Sequence, residues 1–141
     1  VERAHRFGHP LSLVIVDLDD FKAVNDREGH LAGDGVLAAT GAVLRRSVRA
    51  IDVVGRIGGD EFAVLLIETD LPGALDTAAR VRRWTQESVP STTLSIGVAE
   101  LAVGATADAL LEDADRALYA AKRAGRDTVR SGSAALGRGA D

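Results

Sequence analysis

Two short apolar runs with four residues between them constrain the fold of this chain more than any other feature of its sequence. The runs are Val53 to Ile57 and Phe62 to Ile67, and the letters G-G-D-E occupy positions 58 to 61. Strand-length apolar segments joined by a glycine-rich turn predict a β-hairpin. Glycines supply the positive φ angles that such a turn needs, but the turn itself does not require two acidic residues. Those acidic residues make the turn a candidate functional site.

Strand-like and helix-like segments alternate over the rest of the chain. Further strands are predicted for Leu11 to Val16, for Leu94 to Ala99 and, as a short final strand, for Thr128 and Val129. Helices are predicted for Phe21 to Arg27, for a segment that ends near Arg49, for a segment that Pro72 opens and for Ala107 to Ala124, with Gly29, Gly33 and Gly35 interrupting the chain between the first two. This order predicts an α/β fold with a central mixed, mainly antiparallel sheet flanked by helices. Residues 1–130 are expected to form one domain, and the Gly/Ala/Ser-rich tail 131–141 is expected to be disordered.

Charge and composition exclude several classes of protein. The chain has 141 residues and a formal net charge of -4, whereas proteins that grip nucleic acid backbones are usually basic, so no nucleic acid partner is expected. The absence of cysteine excludes disulfides and cysteine-ligated metals. No apolar run approaches the length of a membrane span. We expect a cytoplasmic domain. Because the chain starts at Val1 rather than Met, we also expect it to be a piece of a longer protein, other parts of which can anchor that protein to a membrane.

An acidic cluster follows the first predicted strand. Asp17 closes that strand, with Asp19 and Asp20 directly after it. A carboxylate at a buried strand end is costly unless it meets a cation. If Asp17 and Asp60 lie on adjacent strand ends, they form an oxygen site suited to Mg²⁺. The alternative is that Asp17 and Asp19 only cap the next helix, and for Asp19 we prefer that interpretation.

Four blocks of the sequence resemble the GGDEF family of diguanylate cyclases. They read D-L-D-D-F-K-A-V-N-D-R-E-G-H-L-A-G-D-G at 17–35, R-I-G-G-D-E-F at 56–62, L-S-I-G-V-A at 94–99 and D-R-A-L-Y-A-A-K-R-A-G-R at 115–126. The blocks occur in the family's order and cover nearly the whole chain. The resemblance implies a bacterial signalling enzyme with a nucleotide-cyclase-like fold, which condenses two GTP into cyclic di-GMP and releases pyrophosphate.

The resemblance assigns roles to the metal-binding and guanine-binding residues. Asp17 and Asp60, helped by the Leu18 carbonyl, would ligate Mg²⁺ or Mn²⁺. Asn25 and Asp34 would hydrogen-bond guanine. Asp34 suits that task because a carboxylate accepts from both the ring N–H and the exocyclic amine, a donor pair that adenine lacks on this edge.

The resemblance also assigns the phosphate contacts and a catalytic group. Lys22, Lys122 and Arg126 would hold the β- and γ-phosphates, together with backbone N–H groups near Asp20 and Phe21. Lys122 and Arg126 are four residues apart and would share one face of a helix, although a solvated helix end stabilised by positive charge is the alternative. Glu61 would deprotonate or orient the attacking 3′-hydroxyl.

Other notable side chains are assigned to architecture. His30 is interpreted as part of a loop rather than as a catalytic base. Phe21 and Phe62 are expected in the core, and Trp84 and Tyr119 are expected to pack rather than to recognise a ligand.

A second site is implied by an R-x-x-D pattern just before the hairpin. Arg49 and Asp52 match the family's inhibitory site, where the product cyclic di-GMP binds, with Arg80 as a further contact and Arg3 contributing from a second copy. Arg suits phosphate and guanine edges, and Asp suits guanine N–H donors. Taken alone, an R-x-x-D pattern is usually a salt bridge at a helix end.

The implied mechanism needs two copies of the domain, because each holds one GTP and the pair must face each other as an antiparallel homodimer. The alternatives are a non-catalytic receptor for GTP or cyclic di-GMP, a cyclase that uses adenine nucleotides, against which Asp34 argues, and a purely structural module. The D-x-L-T-x-L-x-N-R segment with which family members usually begin is absent. An upstream sensory domain is expected in the parent protein, and the missing segment leaves its coupling to this domain and the packing of the N-terminal edge open.

Overall fold

A computed structural model describes residues 1–132, which form one five-stranded sheet flanked by helices. The strands are β1 (Leu11–Leu18), β2 (Val53–Arg56), β3 (Glu61–Ile67), β4 (Leu94–Glu100) and β5 (Thr128–Ser131). The helices are α1 (Glu2–Phe7), α2 (Phe21–Glu28), α3 (His30–Ser47), α4 (Leu71–Ser88) and α5 (Ala107–Arg123). Within this part of the chain, no helix has both the length and the apolar character needed to cross a membrane.

The sheet has the strand order β2-β3-β1-β4-β5. Strand β1 lies in the middle and is antiparallel to both β3 and β4. Strands β2 and β3 form the predicted hairpin, with Arg56 paired to Phe62 beside the turn. Neither Gly58 nor Gly59 has a positive φ, so the prediction that the turn needs this conformation is wrong. Strand β5 is parallel to β4, as a crossover through α5 permits. The predicted mixed, mainly antiparallel sheet is confirmed.

Both faces of β1 are covered because its sequence is almost continuously apolar. On one face, Val14 and Val16 belong to a core that includes buried residues of α3 and α4. On the other face, Ile15 packs with Leu118 of α5. Since consecutive strand residues point to opposite faces, Asp17 shares the α5 side with Ile15.

Three differences from the predicted boundaries affect the candidate site or the extent of the domain. Strand β1 continues to Leu18, so Asp17 lies inside the strand rather than after it. Gly33 and Gly35 lie within α3 and do not interrupt the chain; only Gly29, with φ 90°, separates α2 from α3. Ser131 ends β5 rather than starting a tail, and residues 133–141 lie outside the described part of the chain.

Gly97 sets the distance between α5 and the sheet. A Cβ atom at this position would lie 2.3 Å from both the Ala114 carbonyl oxygen and the Leu118 nitrogen of α5. Both neighbours are helix backbone, which cannot rotate away as a side chain can. The missing side chain therefore allows α5 to pack directly on β4.

We expect Gly97→Ala to lower the free energy of unfolding by about 1–3 kcal/mol or more, because the extra methyl group overpacks a backbone contact. Urea denaturation followed by circular dichroism measures the change. Gly55→Ala is the matched control, since Gly55 lies on the edge strand β2 and its added Cβ would meet nothing within 4 Å. Equal stabilities of the two variants would contradict the proposed role of Gly97.

Candidate active site

The end of β1 and the hairpin turn lie against each other. Asp17 is paired with Glu61 of β3 on one side and with Ser95 of β4 on the other. The Leu18 N–H donates to the Asp60 carbonyl at 3.0 Å. The structure therefore brings the predicted metal-binding residues together where the central strand β1 ends beside the hairpin turn; we call this region, with Asp17, Asp60 and Glu61, the acidic edge.

Negative charge is concentrated at this edge. Burial raises the pKa of Asp17; the hydrogen bond from Lys122 opposes that change, and the nearby Asp60 charge adds to it. Burial also raises the pKa of Glu61, and the Asp17 charge raises it further. The Lys122 Nζ lies 2.5 Å from Asp17 Oδ2. The Asp17 carboxylate, in a residue that is only 6% exposed, is thus paired with a cation from α5.

The donor atoms fit a hard divalent cation. Within residues 1–132 there is no group of three or more His, Cys, Asp or Glu side chains that could hold a metal by themselves. The predicted ligands Asp17, Asp60 and the Leu18 carbonyl would form a partial set of oxygen ligands. Mg²⁺ is commonly bound in this way, by one or two carboxylates, with waters and substrate phosphates completing its shell.

An open groove runs beside the turn, between it and helices α2 and α3. Its volume is about 480 Å³, within the range of small-molecule sites. The lining residues are Phe21, Lys22, Asn25, His30, Asp34, Leu37, Arg56, Gly59 and Asp60. The groove therefore unites the two residues predicted to bind guanine with Lys22 and Asp60.

Close packing of α2 on α3 places Asn25 in this groove. A Cβ atom at Gly33 would lie 1.8 Å from Asn25 Oδ1 and 3.2 Å from Phe21 Cζ. A side chain at position 33 would therefore displace the Asn25 amide from its place in the groove. The sequence pattern showed this glycine as a break in the chain, whereas it is a contact between two helices.

The start of α2 faces the acidic edge. Asp20 is the N-cap residue and has the left-handed φ of 52°. Its carbonyl accepts from the N–H groups of Ala23 and Val24. The N–H groups of Phe21 and Lys22 come first in the helix, where N–H groups lack partners within the helix and attract anions.

Lys122 and Arg126 do not share a helix face, so that prediction is wrong. Helix α5 ends at Arg123, and Gly125 takes a φ of 110° that stops it. Arg126 follows in a left-handed conformation with φ 65°. Both cations nevertheless reach the end of β1, because Arg126 Nη1 lies 3.9 Å from Asp19 Oδ1.

Asp19 does not cap α2, which corrects the preferred interpretation of this residue. Its side chain is buried and accepts from Ser95 Oγ at 2.6 Å, from Thr93 Oγ1 at 2.7 Å and from the Asp127 N–H at 2.9 Å. These donors are more than 70 residues away along the chain, so no local pattern could have identified them.

Sequence reasoning also gave no role to Arg56, which supports the hairpin turn. Arg56 Nε donates to the Gly58 carbonyl at 3.1 Å, and Nη2 donates to the Gly59 carbonyl at 2.7 Å. The arginine thereby holds the backbone that carries Asp60. Its place at the start of the R-I-G-G-D-E-F block was the available signal.

The remaining side chains largely follow expectation. Phe62 is buried in the core, and Phe21 packs against that core while lining the groove. Trp84 is half-buried and stacks with Arg46 and Arg80. Tyr119 is not a core residue, since it is 61% exposed and contacts Arg123. His30 is the first residue of α3 rather than part of a loop.

The R-x-x-D pair forms an ordered ion pair at the far end of the hairpin. Asp52 Oδ1 lies 3.2 Å from Arg49 Nη2, and its oxygens also accept from the backbone N–H groups of Arg49 and Ile67. Arg49 Nη2 donates to the Ile67 carbonyl and to Thr69 Oγ1. The Asp52 side chain is 2% exposed and that of Arg49 is 53% exposed, so the arginine presents the accessible group.

The two other predicted members of this second site lie on separate elements. Arg80 of α4 donates from Nη2 to the Ser47 carbonyl at 2.6 Å, next to the chain segment that leads into Arg49. Arg3 lies on α1, where its guanidinium stacks on Phe7.

The Asp52 carboxyl stabilises the fold in a way that depends on pH. Burial acts to raise the pKa of this carboxyl, but the hydrogen bonds from Ile67 and Arg49 outweigh it and hold the pKa below the ordinary value of 3.8. The charged form is thus bound more tightly in the folded state, and its stabilising effect is full above that value and is lost as pH falls through the lower folded-state pKa.

We expect Asp52→Asn to reduce the free energy of unfolding at pH 7 by about 1–3 kcal/mol, because the amide turns a donor towards N–H groups that need an acceptor. The difference from wild type should shrink below pH 3.8. Urea titrations at pH 7 and at pH 3 test this; a difference independent of pH would contradict it.

The chain is similar to curated bacterial proteins over most of its length. It is 42% identical over 137 residues to the diguanylate cyclase DgcP of Pseudomonas aeruginosa and 41% identical over 139 residues to the response regulator PleD of Caulobacter vibrioides. Each match covers 92% of this chain, but only 20% of DgcP and 31% of PleD. The chain thus spans less than a third of either relative.

Solved structures share the fold. The GGDEF domain of DgcB from Caulobacter crescentus, solved in complex with c-di-GMP, aligns with a TM-score of 0.84 and 32% identity over 92% of this chain and 82% of that one. The active GGEEF domain of a diguanylate cyclase from Vibrio cholerae aligns with a TM-score of 0.87 and 33% identity over 92% and 87%.

The family match covers strands β1 to β4, helices α1 to α5 and both candidate sites. Residues 1–128 match the family described as diguanylate cyclase, GGDEF domain. The chain therefore belongs to the GGDEF family of diguanylate cyclase domains.

Proposed function

We propose that this chain is the catalytic domain of a diguanylate cyclase, which condenses two GTP into cyclic di-GMP and two pyrophosphates. One observation carries the proposal: the buried Asp17, paired with Lys122 and influenced by Asp60, lies beside a groove that contains Asn25 and Asp34. The proposed metal–phosphate site and the proposed base-binding site would thereby be adjacent, as a nucleoside triphosphate requires.

Guanine is the base that the groove would select. Asp34 offers two carboxylate oxygens, which match the adjacent ring N–H and exocyclic amine of guanine. Asn25, whose Oδ1 occupies the space left by the missing side chain of Gly33, supplies an amide that both donates and accepts. Adenine presents no matching pair of donors, which argues against an adenine-specific cyclase.

The triphosphate would lie between the groove and the end of α5. Lys22 lines the groove at the start of α2, and the first N–H groups of that helix favour an anion. Lys122 would exchange its contact with Asp17 for a phosphate oxygen once that carboxylate binds a metal. Arg126, whose side chain is 48% exposed, is available to the terminal phosphates.

Asp17, Asp60 and the Leu18 carbonyl would hold Mg²⁺ or Mn²⁺. When bound, the metal would supply charge neutralisation of the phosphates and polarisation of the reacting phosphoryl group. The residues themselves provide the fixed oxygens at the strand ends, and Arg56 keeps the turn that bears Asp60 in place.

The chemistry would need two domains facing each other as a homodimer. A 3′-oxygen forms a bond to the α-phosphorus of the other GTP, the bond from that phosphorus to the pyrophosphate oxygen breaks, and the step then repeats in the opposite direction. Glu61 would accept the proton of the 3′-hydroxyl or orient it. Its raised pKa, caused by burial and the Asp17 charge, makes it a better proton acceptor than an ordinary carboxylate.

A receptor that binds GTP or cyclic di-GMP without turnover is the second candidate. It needs the groove but not the acidic edge, so the intact Asp17 and Asp60 pair favours the enzyme. Incubation of the purified protein with GTP and Mg²⁺, followed by nucleotide chromatography, separates the two: a receptor leaves the GTP unchanged.

We expect Asp60→Asn to reduce cyclic di-GMP formation by roughly a hundredfold or more, because it removes a metal-binding charge while keeping the side-chain shape. The rate is measured by the same chromatography, with circular dichroism to verify folding. Asp76→Asn, an exposed position on α4, is the control and should leave the rate unchanged. A folded Asp60→Asn variant with the wild-type rate would rule out the metal assignment.

We also propose that cyclic di-GMP, as the product, inhibits the enzyme at Arg49, Asp52 and Arg80. The exposed guanidinium of Arg49 would contact the ligand, while the buried Asp52 carboxylate holds that guanidinium in place. Arg80 is held nearby by the Ser47 carbonyl and the Trp84 ring. Because these groups can contact only part of a dinucleotide, we expect a stacked pair of ligands bridging two copies, with Arg3 contributing from the second.

We expect Arg49→Ala to weaken cyclic di-GMP binding by about tenfold or more, the effect of losing a charge-assisted hydrogen bond, and to relieve product inhibition. Calorimetric titration measures the affinity. Asp60→Asn should bind nearly as tightly as wild type, and so should Arg130→Ala, an exposed arginine on β5 at the opposite edge of the sheet. If Arg49→Ala binds like wild type, the pair is only a salt bridge.

A further inference from the structure

Asp19 is a buried charged residue to which the proposed mechanism gives no task. Its carboxylate accepts three hydrogen bonds: two come from the β4 side, from Thr93 and Ser95, and one comes from the backbone N–H of Asp127. Its side chain is 4% exposed. A carboxylate satisfied in this way ties β1 and β4 to the loop between α5 and β5.

That loop has an unfavourable backbone. Gly125, Arg126 and Asp127 have consecutive φ values of 110°, 65° and 47°, and two of the three are not glycine. Residues with a side chain adopt this left-handed region only when surrounding contacts impose it. The contacts here are the hydrogen bond from Asp127 N–H to Asp19 and two hydrogen bonds from Arg82 Nε to Asp127, one to its carbonyl and one to its Oδ1.

The loop carries a residue of the candidate site. Arg126 is held between these contacts, and its Nη1 lies 3.9 Å from Asp19 Oδ1. Asp19 therefore acts on Arg126 in two ways, by fixing the backbone of the next residue and by attracting the guanidinium directly. Asp17, two residues earlier on the same side of the strand, holds Lys122 at 2.5 Å.

We propose that Asp19 is a positioning residue, which holds Arg126 where the terminal phosphates of the nucleotide bind. The inference rests on the proposed function, because it requires a triphosphate at this edge of the sheet. If Asp19 acted on the nucleotide only through its charge, the effect of Asp19→Asn on affinity would have the opposite sign. A negative charge near phosphates repels them, so its removal would strengthen binding. The direction of the change thus distinguishes positioning from bare charge.

The test measures binding of 3′-deoxy-GTP with Mg²⁺ by calorimetry, since this analogue lacks the attacking hydroxyl and is not consumed. Asp19→Asn should bind it about tenfold more weakly than wild type, because an amide loses the ionic contact with Arg126 and one acceptor. Binding of 3′-deoxyguanosine, which has no phosphates, should change less than about twofold on the same reasoning. Asp76→Asn should match wild type for both ligands.

Two further variants separate positioning from a general loss of structure. Arg82→Gln loosens the same loop from the α4 side and should also weaken binding of the triphosphate but not of the nucleoside. In an Arg126→Ala background, Asp19→Asn should have little additional effect, because the positioned group is gone. Hydrogen exchange at the Asp127 amide should be faster in Asp19→Asn than in wild type.

Several results would overturn the proposal. Tighter or unchanged binding of 3′-deoxy-GTP by Asp19→Asn contradicts the positioning role, as does an equal loss for the nucleoside. A full additional loss in the Arg126→Ala background would show that Asp19 acts through another group. If wild type itself fails to bind 3′-deoxy-GTP, the proposed function fails, whereas normal wild-type binding with no change in Asp19→Asn contradicts this inference alone.

Discussion

The buried negative charge at the end of β1 is the constraint on which the candidate site depends. Asp17 and Asp19 are each only 6% exposed, and a buried carboxylate is strongly unfavourable unless cations or N–H and O–H donors satisfy it. Asp17 contacts Lys122. Asp19 accepts from the hydroxyls of Ser95 in β4 and of Thr93 just before it, and from the loop that bears Arg126. The C-terminal end of α5 must therefore lie against the end of β1. Lys122 and Arg126 are thereby both held at the end of β1.

Two glycines set the distances that make this assembly possible. Gly97 lets the backbone of α5 lie directly on β4, which brings Lys122 within reach of Asp17. Gly33 lets α3 approach Asn25 and Phe21 of α2, which shapes the groove. At Gly97 a single methyl group would push the α5 backbone away from β4, whereas at Gly33 it would displace the Asn25 side chain from the groove. The site is thus built on rigid packing between helices and sheet, which preorganises it.

The β2–β3 hairpin reaches both proposed sites. Strand β3 begins at Glu61, opposite Asp17, and ends at Ile67, whose N–H donates to Asp52. Arg56 holds the turn at one end, and the ion pair of Arg49 with Asp52 holds the loop at the other. A short pair of strands is therefore anchored by charged side chains at both ends, where the backbone would otherwise be free to fray.

The sequence by itself determined the order of strands and helices from β1 onward, the hairpin, and most of the groups at the proposed sites, because apolar periodicity and short motifs are local properties of the chain. The short helix α1 and the role of Arg56 were not predicted. Tertiary structure decided where those groups meet. It placed Gly33 inside a helix, ended α5 before Arg126 and changed Asp19 from an expected helix cap into a link to Asp127, 108 residues away. A side chain's neighbours in sequence do not reveal which distant N–H group it must satisfy. Only the folded chain brings that donor to the buried carboxylate.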